Sequence, residues 1–156
     1  MELEYGLVEN ALDSLREAMN YYNEGDEEDN ANQYKFSILL SAHCVELLLK
    51  EILRRNHPAL LFENIDSVKD LQDDDNQTVG YKNAIQRVKK LCGVDLKQYE
   101  TYIDELGRVR NQIQHYKCSI NGEYHKQLMA KTFSAIEFIF RDILGLKFED
   151  YENIIE

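Results

Sequence analysis

Arg110 and His115 are the two residues of this chain whose types and spacing most suggest chemistry, and they bracket the segment RNQIQH. An arginine guanidinium binds phosphate oxygens with a planar set of donors, and a histidine imidazole exchanges protons near neutral pH. Together these two groups are the minimum equipment for cleaving RNA without a metal ion. Because such a pair also arises by chance, the helix that carries it decides whether it is informative.

Apolar residues recur at helical spacing along most of the chain. The second predicted helix has an apolar centre, VELLLKEIL, which indicates that it is the most buried one. The stretch GDEEDNAN at 25–32 is predicted to be a solvated loop, 59–76 to be a connector, and FEDYENIIE to hold a short terminal helix. The spacing predicts long helices over about residues 3–23, 33–56, 79–91, 96–117 and 123–144.

Four residues mark predicted helix boundaries. Pro58 disfavours a helical residue before it and should end the second helix. Thr78 and Asp95 are predicted to cap the third and fourth helices, and Gly93 to end the third. The fold class that follows is all-α, an antiparallel up-and-down bundle of four to five long helices.

The composition fits one soluble domain over residues 1–156, with a core at about 5–144 and a short tail at 145–156. No apolar run approaches the roughly 18 residues of a membrane span, and no basic leader precedes an apolar stretch. Cys44, Cys92 and Cys118 form no CxxC pair, which favours reduced thiols in a cytoplasmic protein. Neither a metal site nor a cofactor is expected.

The two motif residues point in different directions around the fourth helix. At about 100° per residue, Arg110 lies about 40° from the core residue Leu106, Asn111 about 140° and His115 about 180°. Arg110 is therefore predicted to rest its stem against the core, whereas His115 faces away from it. One helix cannot easily bring both onto one phosphate, but two copies meeting about a two-fold axis can. The alternative is an exposed polar face.

The segment RNQIQH, at the end of the penultimate long helix of an all-helical chain, resembles the R-x4-6-H motif of HEPN domains. The helix with SAHCVELLLKEILRRNHP, including Glu46 in its apolar run, is similar to the corresponding HEPN helix. The resemblance covers roughly residues 5–144. It implies a bundle that dimerises through the motif helices and cuts RNA in the composite cleft without metal. It also implies a toxin or antiviral role, often under the control of a partner such as an antitoxin.

Carried onto this chain, the resemblance implies that Arg110 holds the scissile phosphate and that His115 is the general acid or base. It implies that Asn111 orients the histidine or the phosphate by hydrogen bonding. Some HEPN toxins have a tyrosine two residues after the histidine, where a nucleotidyltransferase antitoxin modifies it; that position is Lys117 here. Tyr116 follows the histidine directly, and helical spacing assigns it to the core seam, from which it would support the site.

The net charge of −11 argues against a general nucleic-acid binder, because such binding needs many cations against phosphate. DNA is therefore not expected as a partner, and RNA must meet a local basic surface. The residues predicted to form it are Lys82, Arg87, Lys89 and Lys90 on the third helix and Arg108 on the fourth. A solvated basic face, or a surface salt bridge for Arg108, is the alternative. The tyrosines that could offer partly exposed stacking faces are Tyr21, Tyr22, Tyr34 and Tyr81.

The remaining polar residues of interest have both a functional and a purely structural interpretation. His43 and Glu46 lie one turn apart and are predicted to pair or to support the site, although satisfied polar residues inside a bundle are as common. Glu46 needs a partner if it is buried, and Arg110 is the predicted one. His57 and His125 are predicted to be exposed.

Two hypotheses follow. The first is a cytoplasmic HEPN-type, metal-independent endoribonuclease that acts as a homodimer in toxin or phage-defence biology. The second is a non-catalytic helical dimer that serves as a protein- or nucleotide-binding regulatory module, in which Arg110 and His115 are interface residues. An electropositive cleft around residues 82–90 and 108–115 favours the first, and a motif sealed inside a dry interface favours the second.

Overall fold

A computed structural model describes residues 1, 4–73 and 75–155, and the regular structure in this part of the chain is helical. The predicted all-α bundle is thereby confirmed, while Leu3, at the predicted start of the first helix, lies outside the described residues. None of the described helices is long and apolar enough to cross a membrane. The α-helices are α1 (Leu7–Glu27), α2 (Asn32–Asn56), α3 (Tyr81–Lys90), α4 (Tyr99–His115), α5 (Gly122–Phe138) and α6 (Glu152–Ile155).

The helices α1 and α2 form an antiparallel hairpin joined by residues 28–31. They approach closely at Gly25, where a Cβ atom would lie 2.9 Å from Cε1 of Tyr34. The Ser37 hydroxyl donates a hydrogen bond to the carbonyl oxygen of Ala18 at 2.7 Å. The predicted loop at 25–32 is wrong for its first residues, because α1 continues through Gly25 to Glu27. Tyr34 is 5% exposed and therefore offers no exposed stacking face.

The central helix of the bundle is α2, as its wide apolar arc predicts. Leu48, Leu49 and Leu53 are fully buried, and α2 contacts α1, α3, α4 and α5. Even two charged residues of this helix, Lys50 and Glu51, are buried. Because burial of an unpaired charge is costly, both must find partners inside the structure.

The observed helix boundaries confirm two of the four predicted signals. The helix α2 ends at Asn56, before Pro58, and Gly93 has φ of +65°, which favours glycine after α3. Thr78 does not cap α3, because the helix begins three residues later at Tyr81 and its N-cap, Gly80, has no side chain. Asp95 accepts a hydrogen bond from the Lys97 backbone N–H at 2.8 Å, but α4 starts only at Tyr99.

The C-terminal segment packs back onto the bundle. A π-helical turn, Ile139–Ile143, continues α5, and a 3-10 turn at Phe148–Tyr151 leads into α6. The Phe148 ring stacks on Phe140 with 4.3 Å between ring centroids. Arg16 of α1 donates a hydrogen bond to the carbonyl oxygen of Ile154 at 2.7 Å. The segment after residue 144 is thus anchored on α1 and on the π-helical turn.

Candidate functional site

The helix α4 has a buried half and an exposed end. Its buried residues are Ile103, Leu106, Gly107 and Val109, whereas Asn111 and His115 are exposed. His115 is the last helical residue, and Tyr116 follows in an extended conformation with φ of −152°. Tyr116 is 81% exposed. Its predicted place in the core seam is therefore wrong, because the helical spacing on which it rested ends one residue earlier.

An open groove of about 660 Å³ lies between α3 and α4. We call it the α3–α4 groove. Its wall includes the N-terminus of α3 and one face of α4, which approach each other closely where Tyr81 packs on Gly107. The charged side chains that line it are Lys82, Asp104, Arg108 and Arg110, and Asn111 lines it as well. The structure thus brings together four residues predicted from the sequence: Lys82, Arg108, Arg110 and Asn111.

Arg110 is half-buried in this groove and lies over an aromatic ring. Its guanidinium carbon is 5.2 Å from the ring centroid of Tyr81, a distance that suits a cation–π contact. The Nε atom of Arg110 is buried and has no hydrogen-bond partner among the described residues. A buried donor without an acceptor is unfavourable in a folded protein, so the packing of Arg110 costs free energy at this atom.

The ring beneath Arg110 is held firmly. Tyr81 is 6% exposed, and its hydroxyl donates a hydrogen bond to the carbonyl oxygen of Ile103 at 2.7 Å. Gly107 makes room for the ring, because a Cβ there would lie only 2.6 Å from Cε1 of Tyr81. Burial raises the pKa of Tyr81, with the nearby Arg110 charge opposing that shift. The expected exposed stacking face of Tyr81 is absent, and the ring instead supports Arg110 from below.

His115 does not line the α3–α4 groove. It lies at the exposed end of α4, whereas Arg110 is turned toward α3, so the two motif residues of one chain face different surfaces. Asn111 lines the groove and is exposed, so it lies on the same side as Arg110. A single copy of the chain therefore presents the guanidinium and the imidazole separately.

Glu46 does not pair with Arg110 as predicted. Its carboxylate lies 3.6 Å from Nζ of Lys50, one helical turn later, and Lys50 also donates to the Thr78 hydroxyl at 2.9 Å. Buried Lys50 draws the carboxylate because it needs a counter-charge, and it leaves Arg110 without one. His43 is exposed on α2, and no hydrogen bond or ion pair links it to Glu46 in the described part of the chain.

The four residues of the predicted basic strip on α3 make different contacts. Lys82 lines the groove and Lys90 is exposed, but Arg87 donates to the carbonyl oxygens of Leu60 and Phe62, each at 2.7 Å. Arg87 therefore ties the 59–76 connector to the bundle. Lys89 pairs with Glu100 of α4.

Arg108 reaches the groove from the exposed face of α4 and has partners of its own. It donates to the Tyr124 hydroxyl at 3.2 Å and lies 3.9 Å from the Glu105 carboxylate. The side chain of Arg108 is 57% exposed, so this ion pair is screened by water and is easily exchanged.

His125 is 5% exposed, so its predicted exposure is wrong. Its ring Nδ1 lies 3.1 Å from the backbone nitrogen of Asn121 and 2.7 Å from the Asn121 carbonyl oxygen, which keeps the histidine at the start of α5. His57 is exposed as predicted, and its Nδ1 accepts a hydrogen bond from the Ala59 backbone N–H at 3.0 Å.

The three cysteines differ in access: Cys44 is buried, Cys92 is half-buried and Cys118 is exposed, all as free thiols. Burial raises the pKa of the Cys44 and Cys92 thiols. The described residues contain no group of three or more histidine, cysteine, aspartate or glutamate side chains that could hold a metal ion.

Five groove residues were missed from the sequence: Gly80, Asn83, Gln86, Asp104 and Gly107. Burial, followed by the nearby Glu100 charge, raises the pKa of Asp104, while Lys89 and Lys82 oppose the shift. The signal that could have found Gly107 is a glycine inside an otherwise regular helix, which often marks a close approach. Comparison with known proteins adds no relative, because no family model, curated protein or solved structure matches this chain.

Proposed function

We propose that this protein is a HEPN-type, metal-independent endoribonuclease that acts as a homodimer. The observation that carries the proposal is the half-buried guanidinium of Arg110, whose buried Nε has no acceptor among the described residues. The chain has 29 acidic and 18 basic residues, so carboxylates are in excess. Arg110 therefore lacks an acceptor although the chain contains many groups that could serve as one. An anionic ligand in the α3–α4 groove would pair with this guanidinium, which lines the groove.

The reaction follows from the two motif side chains. His115 takes the proton from a ribose 2′-hydroxyl, whose oxygen then attacks the adjacent phosphorus. The bond from phosphorus to the 5′-oxygen breaks, and a second imidazole returns a proton to that leaving oxygen. Arg110 stabilises the additional negative charge on the phosphate in the transition state, and Asn111 orients the phosphate beside it. The products are a 2′,3′-cyclic phosphate and a 5′-hydroxyl.

The homodimer is required because Arg110 and His115 of one chain face different surfaces. Two copies that meet through the exposed ends of α4 bring His115 of one copy to the groove of the other. Such a cleft contains two imidazoles, which matches the need for one base and one acid. The exposed residues of this end, Asn111, His115 and Tyr116, are available for that contact.

The net charge of −11 restricts how RNA is bound. Few cations face the groove, so the enzyme engages few phosphates and depends on each of them. We place this activity in the cytoplasm, as an RNA-cleaving toxin or phage-defence factor that a regulatory protein such as an antitoxin holds in check. The three free thiols support a reducing compartment.

A second candidate function is a non-catalytic dimer that binds a nucleotide or a protein partner. It is favoured by one observation, namely that His115 does not line the groove that contains Arg110 and Asn111. In this alternative the groove binds its ligand and the imidazole has no catalytic task.

The experiment that separates the two is RNA cleavage in excess EDTA by wild type, Arg110→Ala and His115→Ala. We expect wild type to leave cyclic-phosphate ends and each variant to lose about 100-fold or more in rate. Two matched controls, Arg141→Ala and Gln114→Ala, remove an exposed arginine and the residue next to His115, and should cleave normally. Light scattering should give twice the mass of one chain. No cleavage of tRNA, rRNA or mRNA by the wild type would favour the binding module.

A further inference from the structure

The α3–α4 groove contains one carboxylate, that of Asp104, among its cations. In the described part of the chain Asp104 forms no ion pair and no side-chain hydrogen bond, whereas the neighbouring Glu105 has Tyr124 and Arg108 as partners. A carboxylate repels a phosphate, because both are negatively charged. In a groove that binds RNA, Asp104 is therefore suited to contact a part of the nucleotide other than its phosphate.

Asp104 lies opposite the middle of α3. The two helices run antiparallel here, because Lys89 near the end of α3 pairs with Glu100 near the start of α4. At the other end of the groove, Tyr81 at the start of α3 packs on Gly107 of α4. Asp104 lies between Glu100 and Gly107 along α4, so the residues of α3 that face it lie between Lys89 and Tyr81.

Gln86 is a polar residue of α3 in this position. It lines the groove and lies one helical turn from both Lys82 and Lys89. Burial, followed by the Glu100 charge, raises the pKa of Asp104, and Lys89 and Lys82 both oppose this shift, so both lysines lie near the Asp104 carboxylate. Gln86, between them on the same face of α3, is directed toward Asp104 as well. Its side-chain amide has no hydrogen-bond partner among the described residues, so its donors are available to a ligand.

The separation of Asp104 from Arg110 suits one nucleotide. The rise of an α-helix places these two positions about 9 Å apart along the α4 axis, which is comparable to the span from the phosphate of a nucleotide to the outer edge of its base. With a phosphate at Arg110, the attached base reaches the part of the groove that contains Asp104 and Gln86. This placement rests on the proposed function.

We propose that this part of the groove binds a guanine base of RNA, with Asp104 and Gln86 contacting its base-pairing edge. Guanine presents there, side by side, a carbonyl oxygen, a ring N–H and an amino group. The Asp104 carboxylate accepts from the ring N–H and from the amino group, and the Gln86 amide donates to the carbonyl oxygen. Adenine, cytosine and uracil lack two adjacent donors beside an acceptor, so each of them leaves at least one of these contacts unmade.

The measurement is the binding of nucleoside 5′-monophosphates to isotope-labelled protein, followed by nuclear magnetic resonance. We expect guanosine monophosphate to bind roughly tenfold or more tightly than adenosine monophosphate. Inosine monophosphate, which lacks the amino group, should bind with intermediate affinity. Equal binding of the guanosine and adenosine compounds by wild type would overturn the proposal, as would failure of wild type to bind guanosine monophosphate.

The variant Asp104→Asn tests the assigned contact, because its carboxamide accepts from the ring N–H but donates where the carboxylate accepted. It should therefore prefer xanthosine monophosphate, in which an oxygen replaces the amino group, to guanosine monophosphate. As a matched control, Glu100→Gln changes a carboxylate one turn away that does not line the groove, and it should bind guanosine monophosphate within about twofold of wild type. An Asp104→Asn variant that still prefers guanosine to xanthosine monophosphate would contradict the proposal.

Cleavage of RNA in excess EDTA separates this inference from the proposed function. If wild type cleaves RNA but binds guanosine and adenosine monophosphates equally, the nuclease stands and the guanine site falls. If wild type prefers guanosine monophosphate and Asp104→Asn prefers xanthosine monophosphate, but wild type cleaves nothing, the guanine site stands and the nuclease falls.

Discussion

Two arginines at the end of α2 and one in the α3–α4 groove differ in the groups that surround their positive charge. At the end of α2, Arg54 and Arg55 share the carboxylate of Glu51, which is 5% exposed. Glu51 accepts from Nε and Nη2 of Arg54 at 2.8 and 2.6 Å and from Nε of Arg55 at 3.1 Å. Arg110 in the α3–α4 groove has the Tyr81 ring below it and no acceptor for its buried Nε among the described residues.

This difference in pairing distinguishes arginines that stabilise the fold from an arginine that is available to bind a ligand. Arg55 also donates to the carbonyl oxygen of Leu144 at 2.8 Å, so the Glu51 cluster ties α2 to the end of the π-helical turn and its hydrogen bonds are largely satisfied. Among the described residues, Arg110 has the Tyr81 ring as its contact and no acceptor for its buried Nε. A side chain that is positioned by packing but left without a counter-charge is ready for an anionic ligand.

The largest expected effect comes from breaking the satisfied cluster. Glu51→Ala removes the acceptor of three charge-assisted hydrogen bonds from two half-exposed guanidiniums and should lower the free energy of unfolding by about 2 kcal/mol. Urea denaturation followed by circular dichroism measures this change. As a matched control, Glu149→Ala removes an exposed acid and should stay within about 0.5 kcal/mol of wild type. A loss below about 1 kcal/mol for Glu51→Ala would mean that the cluster is dispensable.

The next effect acts on the support beneath Arg110. In Gly107→Ala the added methyl group meets the Tyr81 ring at 2.6 Å, and the ring cannot retreat without losing its hydrogen bond to Ile103. The steric cost of about 2 kcal/mol outweighs a helix-propensity gain of about 1 kcal/mol, so the variant should be less stable than wild type by about 1 kcal/mol. Gly80→Ala, which meets no atom, is the control in the same denaturation experiment. Equal stability of the two would show that Tyr81 moves freely.

A smaller difference should appear on acidification. Burial raises the pKa of Glu51, but its hydrogen bonds to Arg54 and Arg55 outweigh burial and hold this pKa below the ordinary value of 4.5. The carboxylate therefore stabilises the fold at pH above 4.5, and this contribution is lost as the pH falls through the lower folded-state pKa. We expect the stability gap between wild type and Glu51→Ala to be full at pH 7 and to narrow below pH 4.5. A gap that is constant from pH 7 to the acid limit would contradict this assignment.

The smallest expected effect on stability comes from Arg110 itself. Arg110→Met keeps the apolar stem but removes both the contact with the Tyr81 ring and the cost of a buried Nε without an acceptor; because these two effects oppose each other, stability should change by less than about 0.5 kcal/mol. Arg54→Met, the matched change in the satisfied cluster, should cost about 1 kcal/mol. Thermal and urea unfolding of both variants compare the two directly. A larger loss for Arg110→Met than for Arg54→Met would reverse the comparison on which the proposed function rests.

The sequence was sufficient to predict the helices and four of the residues that line the groove. The helical spacing of apolar residues predicted the position and the burial of α2, because a helix with so wide an apolar arc must be covered by its neighbours. Pro58 and Gly93 marked boundaries through backbone constraints that are local. The RNQIQH motif predicted Arg110 and Asn111, positive charge predicted Lys82 and Arg108, and all four line one groove.

The remaining features depend on contacts that spacing does not encode. Tyr116 follows the last helical residue, so its direction could not be read from the period of α4. Glu46 pairs with Lys50 because Lys50 is buried and needs a counter-charge. Burial of a lysine is not expected from its charge, so the sequence did not indicate this pair. Gly80 gave no signal at all, since a glycine at an N-cap is informative only once the groove in front of it is known.

Cys118 has a practical consequence for testing how two copies meet. It is exposed three residues beyond His115, while burial raises the pKa of the Cys44 and Cys92 thiols and so suppresses their reactive thiolates. A maleimide spin label should therefore attach preferentially beside the motif in the native sequence, without mutagenesis. The distance between two such labels, measured by pulsed electron paramagnetic resonance, would then report how closely the α4 ends of two copies approach each other.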